Sequence, residues 1–511
     1  MKKILLINPR IEKQGYIKKG DTPNLSPHIG LLCLGAYLEK KYPVKILDCR
    51  LIEDHIDAIK AEIKKGDIVC VGISVMTAQI EDALVLSEVV KSVDKNMPIV
   101  WGGIHCTLFP ESTCKDPLVD YVVVKEGEKT FLELVTLLDK TNNKPTPKQL
   151  SSVKGLVFKT KSSDKVTINP DREFLEPKEI PMPAYNLIDA EQYLGAEYWF
   201  FENKVFRSLP IHAGRGCYYR CAFCINTLLN KRRWRGKSAE QVLKEIKYVV
   251  KKYKVNLILI MDEDFFANKA RVEKIADGLI KMNLGVQWAA NVRANYFHSN
   301  YINSRFMAKL RKSGCISVGM GVESGSERVR SFLKKDITID GVYNCAKLCN
   351  RYKIIPDFSF IIGLPTETKA ELKETLKLVY MLKQMCPTAI FAGLQPFRPY
   401  PGGELWEFCK TYGFKEPQTL RGWVEDVKKS DYADVNKFPW VQNPEFVNDI
   451  NYYLMIFQAN PKRIRDKLGS ISVIIAKIIN LRWKFQFWGL LYEYKLFKLV
   501  SKLFGKRNIG L

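Results

Sequence analysis

The stretch Gly214-Arg215-Gly216-Cys217-Tyr218-Tyr219-Arg220-Cys221-Ala222-Phe223-Cys224 sets three cysteines in a C-x-x-x-C-x-x-C pattern, with an aromatic just before the last. Three thiolates at this spacing on one loop can hold three irons of a 4Fe–4S cube and leave the fourth iron open. An open iron can bind a small molecule and pass it an electron. A structural zinc site asks instead for four closed ligands, usually as two C-x-x-C-like pairs. No second pair lies nearby: the next cysteine is Cys315, and His212 is a lone candidate just upstream. Free cysteines often pack as small hydrophobes, but three in eight residues beside Arg and Tyr do not read as a core pattern.

Such a loop needs a frame, and from about residue 206 strand-like runs alternate with helical ones. The strands read Leu209–Ala213, Leu257–Met261, Gly285–Ala290, Cys315–Gly321, Pro356–Ile362 and Ile390–Leu394, with Ser238 as N-cap of the helix after the loop. Repeated βα units predict a barrel or partial barrel over 206–400, with chemistry at the strand carboxyl ends. Those ends carry Glu263, Arg293, Glu323-Ser324-Gly325 and Gly363. A zwitterionic, adenine-bearing ligand needs this mixture: an Arg for a carboxylate, a carboxylate for ribose hydroxyls, and glycines for close approach. Each alone reads equally as a helix cap or a surface ion pair; their placement at successive ends raises the set above its members.

Residues 1–140 show the same alternation, with strands at Ile4–Asn8, Val44–Leu47, Ile68–Ser74, Ile99–Trp101 and Tyr121–Val124. Buried strands separated by helices imply a parallel sheet whose ligands sit beyond the carboxyl ends. Three ends stand out: Ser74 with Thr77, Gly102-Gly103 followed by His105, and Lys125-Glu126-Gly127-Glu128 with its acceptors after the fifth strand. The hydroxyls can bond a polar tail, and paired glycines let a ligand reach the backbone. Residues 141–205 shift in composition and read as a linker with a short hairpin, and Pro181-Met182-Pro183 in it reads as packing. Residues 401–511 lose the alternation and read as a helical, basic region.

With the cysteine loop, these segments resemble the cobalamin-binding class of radical S-adenosylmethionine (radical SAM) proteins over roughly residues 4–400. Pro27-His28-Ile29-Gly30-Leu31-Leu32 and Gly102-Gly103-Ile104-His105 carry the likeness in the first domain. The resemblance implies an α/β chain: an N-terminal Rossmann-like cobalamin-binding domain, then a radical SAM partial (β/α)6 barrel, then the helical tail. It implies three cofactors: a 4Fe–4S cluster on Cys217, Cys221 and Cys224, S-adenosylmethionine (SAM) and cobalamin. By the same likeness Glu323, Ser324 and Gly325 contact the ribose and amino group of SAM, and Arg293 pairs its carboxylate. Gly363 lies along the adenine, Phe223 packs on the adenosyl part, and Glu263 serves SAM or substrate. Ser74, Thr77, Gly102, Gly103 and His105 surround the corrin, with His105 kept off the cobalt.

There are two departures from the pattern. The D-x-H-x-x-G signature that supplies a cobalt ligand elsewhere is missing after the first strand, where Asn8-Pro9-Arg10-Ile11-Glu12 stands. Cobalamin is therefore expected without a protein imidazole, and a degenerate domain without the cofactor is the alternative. The Gly-Gly-Glu element is replaced by Trp234-Arg235-Gly236-Lys237-Ser238. The implied reaction is reductive cleavage of SAM to a 5′-deoxyadenosyl radical that modifies an unactivated carbon, by methylation in most relatives. Rearrangement, cyclisation or dehydration on the same scaffold, and a non-catalytic cobalamin or metal sensor, are the competing readings.

The 511 residues are 46% hydrophobic and 26% charged, which suits several folded units. Thirteen cysteines without a regular framework, and no leader pattern at the start, fit a reducing cytoplasmic setting. The formal charge is +25, and residues 461–511 hold 12 Lys/Arg against Asp466 and Glu493. Lys495, Lys498 and Lys502 alternate with Leu and Phe at helical spacing, so this tail suits an anionic membrane surface or a packed helix with a solvated lysine face. No run of about 18 apolar residues spans a bilayer. No nucleic-acid module accompanies the charge, so the expected partners are a small-molecule or lipid-like substrate and a reductant such as flavodoxin or ferredoxin.

Overall fold

Runs of Ile, Val and Leu without a polar break need burial on both faces, and the chain buries them in two largely parallel sheets. The computed structural model describes residues 2–11, 17, 25–160, 163–194, 196–198, 204–429, 435–458, 471–488 and 492. The first sheet contains β1 (Lys3–Asn8), β2 (Val44–Asp48), β3 (Ile68–Ser74), β4 (Ile99–Gly102), β5 (Tyr121–Val123), β6 (Leu156–Thr160) and β7 (Ser163–Ile168). Its order is β2-β1-β3-β4-β5-β6-β7. The pairs up to β5 are parallel, and β6 and β7 run antiparallel. The hairpin expected in the linker is thus not free-standing but extends this sheet at its β5 edge. Because the chain passes from β1 to β2 on one side and then to β3 on the other, a crevice opens beyond the ends of β1 and β3.

A short hairpin, β8 (Ala196–Tyr198) and β9 (Lys204–Phe206), leads into the second sheet. That sheet holds β10 (Ser208–Ile211), β13 (Leu257–Ile260), β14 (Gln287–Asn291), β15 (Cys315–Glu323), β16 (Ile355–Ile362) and β17 (Ile390–Pro396). All are parallel, in the order of the sequence, as six successive βα units of a partial barrel require. Between β10 and β13, β11 (Gly214–Arg215) pairs antiparallel with β12 (Arg235–Gly236). The helix Ala239–Tyr253 starts at Ser238, whose Oγ accepts the Gln241 N–H at 3.2 Å while Gln241 Oε1 accepts the Ser238 N–H at 3.1 Å. Two otherwise unpaired donors are satisfied at once.

The carboxyl-terminal helices serve both units. Helices Glu404–Lys410 and Leu420–Lys429 send Trp406, Leu420 and Trp423 into the core of the first sheet. Helices Pro444–Gln458 and Ile471–Phe485 send Ile450, Leu454, Ile479 and Trp483 into the barrel core. The cationic segment Lys495–Phe504 lies outside the described residues. Among the described residues, no helix is long and apolar enough to cross a membrane.

Candidate active site

The cysteine loop is closed at its neck by the β11–β12 pair and tied down by main-chain hydrogen bonds. Gly216 has φ +84°, and a Cβ there would stand 2.1 Å from the Arg233 carbonyl oxygen, so only glycine fits. Its N–H donates to Glu263 Oε2 at 3.0 Å, while Asp262 Oδ1 accepts the Ala213 N–H at 2.7 Å. Two of the three acids after β13 thus brace the loop. Cys221 is buried, Cys217 and Cys224 are half-buried, and all three are free thiols. Arg293 sends Nη1 to within 3.6 Å of Cys221 Sγ and lies 3.5 Å over the Tyr219 ring. Burial pushes the Cys217 thiol up to about 11 and raises Cys224 as well. Both sulfurs are therefore protonated in the bare loop, and a metal must displace those protons.

The remaining strand ends of the second sheet are engaged within the protein. Glu323 ends β15 at φ +70° and is buried against Lys335, with Oε1 2.6 Å from Nζ. Lys335 also stands 5.7 Å from the Phe223 ring centre, and its carbonyl accepts from Arg293. Cys221, Phe223, Arg293 and Glu323 are thus drawn together around one lysine. Ser324 and Gly325 turn the other way: the Ser324 hydroxyl meets Thr375 Oγ1 at 3.1 Å, and the Gly325 N–H donates to that oxygen at 2.9 Å. A Cβ on Gly325 would sit 2.4 Å from the Glu374 carbonyl oxygen. These two residues lock β15 to the helix Lys369–Met385. Gly363, at φ +68°, donates its N–H to Glu367 Oε2 at 2.7 Å, and burial pushes the Glu367 carboxyl up to about 7. A relay that the sequence did not reveal runs beside the loop. The Tyr218 and Tyr296 hydroxyls meet at 3.0 Å, and Tyr296 donates to Asp264 Oδ2 at 2.8 Å.

Between the two sheets lies a cavity of about 750 Å³, lined from the first sheet by Ser74, Gly102 and Gly103 and from the barrel by His212, Arg215 and Glu263. Gly103 has φ +98°, and a Cβ there would stand 2.9 Å from the Val75 nitrogen and oxygen. Thr77 and His105 do not reach this space. His105 is fully buried, with Nδ1 3.2 Å from Thr77 Oγ1 and its ring edge-on to Trp423 at 5.6 Å. Burial pushes its pKa down to about 3, so it is a neutral packing residue. The side-chain register after β3 and β4 turns the two behind the wall.

A different histidine does line the cavity. His28 caps the helix Ile29–Leu38, its Nδ1 accepting the Leu31 N–H at 3.1 Å, and its Nε2 lies 3.1 Å from Ser74 Oγ. Because Nδ1 accepts, the proton sits on Nε2. His28 therefore donates to Ser74 and has no lone pair left for cobalt.

Comparison with known proteins bears on the family and the fold. The family model of the radical SAM superfamily matches residues 211–379, and that of the B12 binding domain matches residues 20–135. An uncharacterized methyltransferase of Pyrococcus horikoshii is 32% identical over 409 residues, covering 80% of this chain and 83% of that protein. The chain belongs to the cobalamin-binding radical SAM family. The anaerobic magnesium-protoporphyrin IX monomethyl ester cyclase of Rubrivivax gelatinosus is 27% identical over 408 residues, 79% of this chain and 69% of that protein. The fold of this cobalamin-binding radical SAM protein matches OxsB solved with aqua-cobalamin and S-adenosylmethionine, with a TM-score of 0.70 at 17% identity over 98% of this chain and 75% of that one. It also matches TsrM from Kitasatospora setae, with a TM-score of 0.62 at 18% identity over 81% of this chain and 77% of that one.

The family's cofactors are a 4Fe–4S cluster, SAM and cobalamin, and the residues present fit them. Three free thiols with a guanidinium beside one of them suit iron–sulfur ligation. Each thiolate of a cube binds a different iron, so the three need not converge on one ion. Among the described residues, no three His, Cys, Asp or Glu side chains do so. The glycine-floored cavity suits a bulky planar ring approached closely by backbone, and His28 leaves the metal of such a ring without an imidazole from that side.

Proposed function

We propose that this protein is a cobalamin-dependent radical SAM enzyme that methylates an unactivated carbon of a small-molecule or lipid-like substrate. The observation that carries the reading is Glu263, which holds the cysteine loop through Gly216 and lines the cavity of the first sheet. Loop and cavity thus share one wall. When bound, the cluster supplies the electron that cleaves SAM to a 5′-deoxyadenosyl radical, and cobalamin carries the methyl group.

The chain's own residues bind and orient. Cys217, Cys221 and Cys224 ligate iron. Arg293, beside Cys221, pairs the SAM carboxylate, and Phe223 packs on the adenosyl part. Glu323 takes the ribose hydroxyls once Lys335 releases it, with Ser324 and Gly325 fixing the strand end that aims it. Gly363 runs along the adenine, and Glu263 faces SAM or substrate. Ser74, Gly102 and Gly103 receive the corrin, while Thr77 and His105 brace that wall from behind. A one-electron reductant of the flavodoxin or ferredoxin type completes the system. The outward side of the helix Ile471–Phe485 exposes Ile478, Leu481 and Phe485 beside Lys477 and Lys484, which supports peripheral contact with an anionic membrane and hence a lipid-like substrate.

The test is anaerobic incubation of reconstituted protein with reductant and methyl-labelled SAM. 5′-Deoxyadenosine is expected, with label in the substrate, and both are lost in Cys221→Ala. The named activity of the cyclase relatives favours a second reading, radical chemistry without methyl transfer. In that case deoxyadenosine forms and no label moves.

A further inference from the structure

The turn after β5 reaches across the cavity to the cysteine loop. Glu126 Oε1 lies 3.0 Å from Arg215 Nη1, and Glu128 Oε1 lies 2.6 Å from Arg215 Nη2. Arg215 is two residues before Cys217, and its cross-strand partner at the neck of the loop is Arg235. The same Glu126 takes Arg235 Nη1 at 2.8 and 2.9 Å and accepts the Leu175 N–H at 2.8 Å. Arg235 in turn lies 4.4 Å over the Phe174 ring and donates to Asn230 at 3.0 Å. The two glutamates and Arg215 all line the cavity.

A largely buried ionic group such as this one is weak evidence for stability, because well-packed apolar side chains serve as well; fixing one geometry is its better-attested use. The arginine fork gives direction as well as attraction, because a planar guanidinium held by a carboxylate at each end cannot rotate. Gly216, in the left-handed region, follows at once, so a rotation at Arg215 passes straight into Cys217.

We infer that Glu126 and Glu128 are positioning residues which, through Arg215, hold the cysteine loop at one fixed offset from the cavity of the first domain. The cavity wall and the cluster loop are then a single rigid part, and the separation of the two cofactors is set by three side chains that ligate neither. This rests on the reading that the cysteines hold the cluster and the cavity holds the corrin.

The measurement is electron paramagnetic resonance on the full-length protein loaded with both cofactors, with cobalt(II) corrin and one-electron-reduced cluster present together. Magnetic coupling between the two metals depends steeply on their separation and appears as a line splitting. Wild type is expected to show one narrow splitting. In Glu126→Gln with Glu128→Gln, which keeps shape and removes charge, the splitting distribution widens roughly twofold at unchanged cofactor content. Arg215→Lys, which keeps the charge and loses the fork, widens it as well, because the charge and the fork together hold the geometry. An unchanged splitting in the glutamine variant, or loss of either cofactor from it, overturns the assignment. Wild-type protein without sulfide or without cobalt overturns the cofactor reading and this inference with it.

Discussion

The two sheets end in opposite ways. The first presents Ser74, Gly102 and Gly103 to an open cavity, so its strand ends are finished before any ligand arrives. In the second, Glu323 is held by Lys335, Ser324 by Thr375 and the Gly363 N–H by Glu367. A ligand of the first sheet meets a preformed floor. A ligand of the second must exchange partners already made, so part of its binding energy goes into releasing internal bonds. The difference teaches that a concave glycine-rich surface is open to a ligand as it stands, whereas a polar strand end can be spoken for by the fold.

Five substitutions break or sharpen this contrast. Gly216→Ala has the largest expected effect: the 2.1 Å approach to a carbonyl forces the loop open, and iron content is expected to collapse while cobalt content is kept. Parallel loss of both metals in elemental analysis would show that the two ends are not independent. Lys335→Met leaves Glu323 buried and unpaired, a cost of about 3–5 kcal/mol in ligand-free protein. Added SAM is then expected to raise the melting temperature more than in wild type. An equal or smaller rise would mean that Glu323 keeps its internal role.

Glu367→Gln tests the same closure through pH. Burial lifts the Glu367 carboxyl from 4.5 to about 7, so the folded protein keeps a proton that the unfolded chain gives up. Stability should fall as pH rises through that window and level off above it, by about 3 kcal/mol in all. The Gln variant, which keeps the acceptor for Gly363, is expected to lose this slope in melting curves recorded across the window. Gly103→Ala strains a left-handed residue at the cavity floor by about 1–3 kcal/mol. Corrin affinity should weaken, measured by titration, with iron untouched. His105→Leu is the mildest: losing the contact with Thr77 costs about 1 kcal/mol of stability, and corrin affinity is expected to hold. A large drop in affinity would return His105 to the site.

The alternation of strands and helices was legible because burial on both faces writes continuous apolar runs, and the cysteine loop because ligand spacing is local. Orientation was harder to read. Glu323 and Ser324 are neighbours facing different elements, and His105 comes two positions after the cavity-lining Gly103 yet points into the core, since nearby positions at a strand end project to opposite sides. Long-range partners left no local trace: Lys335 for Glu323, Ser74 for His28, and Glu126 for Arg215 are matched only once the chain is folded. In the sequence His28 carries the family likeness, and its capping role is the signal available, a polar residue just before an apolar helical run. The destination of Trp406 and Trp423 had no signal, because an amphipathic helix does not name the surface it covers.

Those two tryptophans carry a consequence for synthesis. They complete the hydrophobic interior beneath β3 and β4, and Trp423 closes over His105 and Phe109. The amino-terminal unit therefore leaves the ribosome with one flank bare and stays so until residue 423 emerges behind the whole barrel. Nascent chains halted near residue 400 should bind holdase chaperones and resist proteases poorly, and a few dozen more residues should relieve both.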